Sequence, residues 1–140
     1  MSISARNQVE VELTEVRTGA VNSLVVGKTA GGEVLKATVT TDSEKALELK
    51  VGKKVVFLFK ASSVIVAKDG EFKLSATNQV AGKVSEVKAG SVNSEIVIDA
   101  NGDKISAIIT KESAEKLILK AGDNVKAIIK ATNIIVGVRV

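Results

Sequence analysis

From Val9 to Thr14 apolar and polar positions alternate, with Val9, Val11 and Leu13 set against Glu10, Glu12 and Thr14. That is the period of a half-buried strand. Val16-Arg17-Thr18-Gly19-Ala20 breaks the alternation with a glycine turn. A second strand is predicted over 21–26, then a hairpin loop over Gly27-Lys28-Thr29-Ala30-Gly31-Gly32, then a third strand over 34–40. From Thr40 to Leu49 the β-branched residues give way to good helix formers. Thr40 stands at the N-cap position, and Asp42 and Glu44 fall in the first turn, where the helix dipole favours them. Lys50-Val51-Gly52-Lys53 stops this helix, with Gly52 suited to a left-handed C′ residue. Strands over 54–60 and 64–67 complete the set. A short helix between the third and fourth of five strands is the arrangement of an OB-type barrel.

The whole order then returns. Ser4-Ala5-Arg6-Asn7-Gln8 is answered by Ser75-Ala76-Thr77-Asn78-Gln79, Gly19-Ala20-Val21-Asn22 by Gly90-Ser91-Val92-Asn93, and Lys60-Ala61-Ser62 by Lys130-Ala131-Thr132. The period is about 70 residues, slipping by one where Gly31-Gly32 faces Asn101-Gly102, and a repeat that long predicts two tandem domains rather than a solenoid. Strands are expected over 80–87, 92–98 and 105–110, a helix over 112–119, and strands over 124–130 and 134–138. The expected architecture is all-β with one short helix per repeat: two OB-like barrels, 1–68 and 72–140. They divide near Lys68-Asp69-Gly70-Glu71, a connection short enough that the barrels should touch.

Composition narrows the function. The chain is 45% hydrophobic, more than two small polar-surfaced modules need, and the excess is expected to form interfaces between halves and between subunits. With no His and no Cys, imidazole and thiolate metal sites, Cys nucleophiles and His-based acid–base chemistry are excluded. The net charge is +4 with both signs interspersed, unlike the clustered basic face of a nucleic-acid binder. Phe57, Phe59 and Phe72 are the only aromatics, too few to stack bases. No apolar run approaches the ~18–20 residues of a membrane span. No signal-peptide core follows the start, so a cytoplasmic location is expected.

Four kinds of polar position recur that a bare barrel does not demand. Ser4 and Arg6, with Ser75 and Thr77, belong to the Ser-Ala-x-Asn segment, which reads either as a turn bonded to its own backbone or as part of a site. Thr40 and Ser43, with Thr110 and Ser113, stand at the two helix starts, where hydroxyls either cap the helix or meet an anion. Lys60-Ala61 and Lys130-Ala131 end strands, as solvated residues or as a local cation. Gly19, Val21 and Asn22, with Gly90, Val92 and Asn93, read as tight turns whose glycine permits positive φ and whose N–H groups could form an anion nest. Hydroxyls, N–H donors and one cation per repeat suit a small tetrahedral dianion. They do not assemble a nucleophile and base, so no enzyme is expected.

In this order, and twice over, these motifs resemble the molbindins, the Mop or molybdenum-pterin-binding domains of the TOBE class, in their di-Mop form. The resemblance covers essentially the whole chain. It implies an OB-like barrel and cytoplasmic storage or buffering of molybdate, with tungstate as the alternative oxyanion and neither cation nor nucleotide. It also implies a trimer whose oxyanions lie between subunits. One kind of site would map to Ser4, Arg6, Thr40, Ser43, Lys60 and Ala61, and to Ser75, Thr77, Thr110, Ser113, Lys130 and Ala131. A second kind would use Gly19, Val21, Asn22, Gly90, Val92 and Asn93. Thr77 departs from the family's Arg, which either leaves that site unchanged, if the backbone N–H serves, or weakens it. With no phosphate loop and no helix-turn-helix segment in the chain, a stand-alone oxyanion store is expected, and an OB-type module binding nucleic acid or a protein is the rival.

Overall fold

The structure, a computed structural model, describes residues 3–68, 70 and 72–140. Asp69 and Glu71, where the chain was expected to divide, lie outside the described residues. The first repeat folds as β1 (Asn7–Arg17), β2 (Asn22–Thr29), β3 (Val34–Thr40), α1 (Thr41–Ala46), β4 (Lys54–Phe59), a 3-10 turn (Ala61–Ser63) and β5 (Ile65–Ala67). The second follows with β6 (Asn78–Ala89), β7 (Asn93–Ala100), β8 (Asp103–Thr110), α2 (Lys111–Lys116), β9 (Asn124–Ile129), a 3-10 turn (Ala131–Asn133) and β10 (Ile135–Gly137). The alternation on β1 is realised: Asn7, Val9, Val11 and Leu13 are buried, while Gln8, Glu10, Glu12 and Thr14 face solvent.

The fifth strands are where the structure departs from two self-contained barrels. β5 pairs with β9 of the second repeat, Ile65 opposite Ile128 and Ala67 opposite Lys126. β10 pairs with β4 of the first, Ile135 opposite Leu58 and Gly137 opposite Val56. The two sheets therefore run β10-β4-β1-β2-β3 and β5-β9-β6-β7-β8. Each curls until its borrowed strand meets the far edge, β10 against β3 and β5 against β8. Strand propensity in 64–67 says that a strand forms there, not which sheet it joins. Buried side chains of both repeats make one connected core, with Val64 and Val66 supplied to one sheet and Ile134 and Val136 to the other.

Two buried asparagines fasten the exchange. The Asn7 side chain donates to the Ser106 carbonyl at 2.9 Å and accepts from the Ser106 N–H at 2.8 Å. Asn78 does the same to Lys36, at 2.8 Å in both directions. Each carboxamide thus acts as a strand residue for the edge of the other repeat, satisfying backbone groups that burial would otherwise leave unpaired.

Local details differ from the expectations for physical reasons. β1 runs on through Val16 and Arg17, absorbing Thr14 in a bulge between Leu13 and Glu15. Gly27 lies inside β2, not in a hairpin loop, and glycine is needed there since a Cβ would meet the Val11 side chain and the Phe57 ring. The second repeat mirrors this contact: Gly82 makes room for Ile98. The helices are shorter than expected, ending at Ala46 and Lys116. Their left-handed residues are Glu48 at φ 51° and Ile118 at φ 50°. Gly52 keeps a positive φ of 92° but serves the following turn into β4. The exposed helix-end carbonyls of Leu47 and Glu48 accept from the Lys53 ammonium at 2.7 and 3.4 Å. In the second repeat Asp123 occupies the place of Lys53, and Lys68 supplies the ammonium instead, 3.1 Å from Leu117 O and 3.1 Å from Asp123.

Asn78→Ala removes both bonds to Lys36 and leaves a buried N–H and C=O unpaired, so it should destabilise the fold by ~2–4 kcal/mol, read as a lowered urea midpoint. Asp99 is held below the ordinary carboxylate range by the Gly102 N–H and by Lys104. For Asp123 burial pulls upward, but the Lys120 N–H and Lys68 together outweigh it and the group is lowered. Both groups ionise more readily folded than unfolded. Their stabilisation is complete above the unfolded aspartate value of about 3.9 and is lost as pH falls through the folded values. The thermal midpoint should therefore be flat near neutrality and fall in acid, less steeply for Asp99→Asn.

Candidate functional site

The Thr-x-x-Ser pairs do cap their helices. Thr40 Oγ1 accepts from the Ser43 N–H at 3.1 Å and donates to Ser43 Oγ at 2.8 Å, and Thr110 and Ser113 repeat the arrangement at the same distances. The Ser43 and Ser113 hydroxyls act as acceptors in these bonds, and neither gives its own proton to another described residue. Both pairs are exposed. The helices behind them have six residues each, too short to carry much of a macrodipole. What these corners offer an anion is mainly hydroxyl and local N–H donation.

The Gly-x-Val-Asn turns lie directly beside them. Asn22 pairs with Thr40 and Asn93 with Thr110 across the ladders. The Thr41 N–H donates to Val21 O at 2.8 Å, and the Lys111 N–H to Val92 O at 2.9 Å. Positive φ is not what these glycines provide. Among the described glycines only Gly32, Gly52, Gly102 and Gly122 adopt it. Gly19 and Gly90 are required because a Cβ would collide with the carbonyl oxygens of Asn22 and Asn93. The tips of these turns are apolar and open, with Val21 74% and Val92 71% exposed.

The third group gathers at the other end of β1. Asn7 pairs with Phe59, which sets Arg6 beside Lys60. Thr40 belongs to the Arg17 end of the same strand, about 33 Å away along ten residues of extended chain. Ser4, Arg6, Lys60 and Ala61 are therefore not brought to Thr40 and Ser43 of their own repeat. They run instead along β8. Asn7 holds Ser106, and Arg6 Nη1 lies 3.1 Å from Glu95, the ladder neighbour of Ile108, so the segment heads toward Thr110 and Ser113. The turn Ala61–Ser63 packs on β8 as well. Reciprocally, Asn78 holds Lys36 and the turn Ala131–Asn133 packs on β3. That sets Ser75, Thr77, Lys130 and Ala131 along the strand that leads to Thr40 and Ser43. The structure thus places each of these groups along β8 or β3 of the other repeat rather than beside the Thr-x-x-Ser pair of its own.

Apart from the buried Ala61 and Ala131, every candidate side chain is exposed. A groove of about 940 Å³ runs past Phe72, Leu74, Gly82, Lys83 and Asp99 and contains none of them. No cluster of three metal-ligating side chains occurs among the described residues. Sequence reasoning missed Glu95 and the reach of the two asparagines. The signal was present in the repeat itself, since the change from Arg6 to Thr77 has a partner in the change from Leu24 to Glu95.

Comparison with known proteins sets this geometry in a family. A TOBE domain matches residues 3–66 and again residues 74–136. The chain is 35% identical over 141 residues to the molybdenum transport protein ModE of Herbaspirillum seropedicae, covering 99% of this chain and 52% of that protein. It is 37% identical over 137 residues to the molybdenum-pterin-binding protein MopA of Rhodobacter capsulatus, covering 96% of this chain and 52% of that one. The chain thus spans about half the length of these two relatives. Among solved structures it superposes on the cytoplasmic molybdate-binding protein ModG in its molybdate-bound form, with a TM-score of 0.95 and 39% identity over 99% of this chain and 100% of that one. With the domain matched in each repeat and the paired-sheet fold shared end to end, the chain belongs to the TOBE domain family and carries the domain twice.

Proposed function

We propose that the protein is a cytoplasmic, non-enzymatic binder of molybdate, with tungstate as the alternative ligand, whose units of duplication are two Mop domains, 1–68 and 72–140. The observation that carries this reading is the end-to-end likeness to the molybdate-bound ModG structure, added to polar motifs kept in both repeats. Molybdate is a tetrahedral dianion and needs several donors with partial neutralisation. The hydroxyls at Ser4, Thr40 and Ser43 and at Ser75, Thr110 and Ser113, neighbouring backbone N–H groups, and the Lys60 and Lys130 ammonium groups supply both. The Gly-x-Val-Asn turns, Gly19 to Asn22 and Gly90 to Asn93, form the second kind of site. Because the candidate side chains are open to solvent in one chain, a neighbouring copy would exclude water and complete each site, in a trimer. Storage or buffering of the anion is the role this reading assigns to the sites. A nucleic-acid role is disfavoured: Phe57 and Phe59 are buried, leaving only Phe72 as a ring for a base.

Calorimetric titration with molybdate in excess sulfate should show saturable heat at more than one anion per chain, since size, not charge, separates the two anions. A folded, oligomeric protein that gives no heat with molybdate or tungstate overturns the reading. Lys130→Ala should weaken molybdate binding at one kind of site on the order of tenfold through loss of a charge-assisted contact, leaving the unfolding midpoint unchanged.

A further inference from the structure

The two cross-repeat constellations are not copies of each other. Where β1 of the first repeat begins, Arg6 meets Glu95 of the second repeat at 3.1 Å. At the pseudo-equivalent position of the other constellation, Arg6 is replaced by Thr77 and Glu95 by Leu24. The surrounding charges are only partly held in common: Lys36 on β3 stands where β8 has Ser106, and Lys111 opens α2 where α1 has Thr41. Glu86 and Lys88 on β6 correspond to Glu15 and Arg17 on β1, and each is a same-strand ion pair. At this pair of positions one constellation holds a cation and an anion where the other holds neither. Lys88 also lies 3.9 Å from Glu95, so this carboxylate, only 15% exposed, sits between two cations.

An isolated Arg beside an oxyanion site attracts every anion, sulfate included. An isolated carboxylate there repels them all. We propose that Glu95 is a positioning residue that neutralises Arg6 and turns its guanidinium away from indiscriminate anion capture, so that the Arg6–Glu95 pair, like the Thr77–Leu24 pair, adds no net charge facing a dianion. This rests on the molybdate reading above. It makes Thr77 a matched alternative rather than a defect.

The test is a charge cycle read by calorimetric titration with molybdate and with sulfate at several salt concentrations. The variants are Glu95→Leu, Arg6→Thr and the double variant, which copies the Thr77/Leu24 pair already present in the fold. Glu95→Leu should tighten binding of both anions about tenfold at one kind of site and steepen its salt dependence. Arg6→Thr alone should weaken that site by a similar factor, because Glu95 is left facing the ligand. The double variant should return to the native affinity and the native salt slope. If the double variant is as weak as Arg6→Thr, or if none of the three differs from the native chain, the proposal is overturned while molybdate binding stands. A native chain that binds neither anion overturns the molybdate reading itself, and this inference with it.

Discussion

The structure depends on one reciprocal arrangement, the exchange of fifth strands locked by Asn7 and Asn78. A five-stranded curled sheet that lacks its last strand exposes the backbone of two edges and the apolar positions beneath. Ile65–Ala67 and Ile135–Gly137 are only three residues long, so ladder bonds alone hold them weakly. The asparagines make the contact specific. Each is a polar side chain placed where the period of its strand calls for an apolar one, and burying it is favourable only while the other repeat offers a backbone N–H and C=O in register. The register of the two repeats and the position of Arg6 and Lys60 over β8 follow from that requirement.

Within this frame the repeats have diverged by paired changes. Val11 against Gly27 becomes Gly82 against Ile98, so the bulk moves to the other strand while the local packing is kept. Lys53 becomes Asp123, which by itself would strip the α2 carbonyls of their cation, and Lys68 arrives to hold both the carbonyls and the new carboxylate. The Arg6–Glu95 pair belongs to the same pattern. In a close-packed or partly buried place a single change leaves a void, a clash or an uncompensated charge. What survives is the change together with its answer.

Much of the fold was legible in the sequence because its signals are local. The alternation through Val9, Val11 and Leu13, and Thr40 ahead of Asp42 and Glu44, each report on a few neighbouring residues. The exchange was not legible, since 64–67 has the same strand propensity whichever sheet receives it. Gly27 and Gly19 were misread for a related reason: a glycine can mean positive φ or a close approach, and only the opposing atoms, Val11 and the Asn22 carbonyl, decide between them. Most of the candidate residues stood out because they recur in both repeats, with Arg6 against Thr77 the exception. Their grouping did not, because Lys60 and Thr40 share a repeat yet stand at opposite ends of β1. Which of these residues share a face is decided only by topology.

Joining the two repeats in one chain has two physical consequences. It makes the exchange intramolecular, so the partner strand is present at an effective concentration of order millimolar whatever the protein concentration. It also breaks a symmetry that identical subunits cannot escape. In a pair of separate, identical repeats every substitution appears on both sides of the interface, so a residue such as Arg6 would face its counterpart's environment twice over, with Leu24 or Glu95 in both places. Once the repeats are covalently joined, one constellation can hold Arg6 with Glu95 and the other Thr77 with Leu24. Each can then be adjusted without disturbing its twin. Duplication is what allows two constellations built on one scaffold to differ.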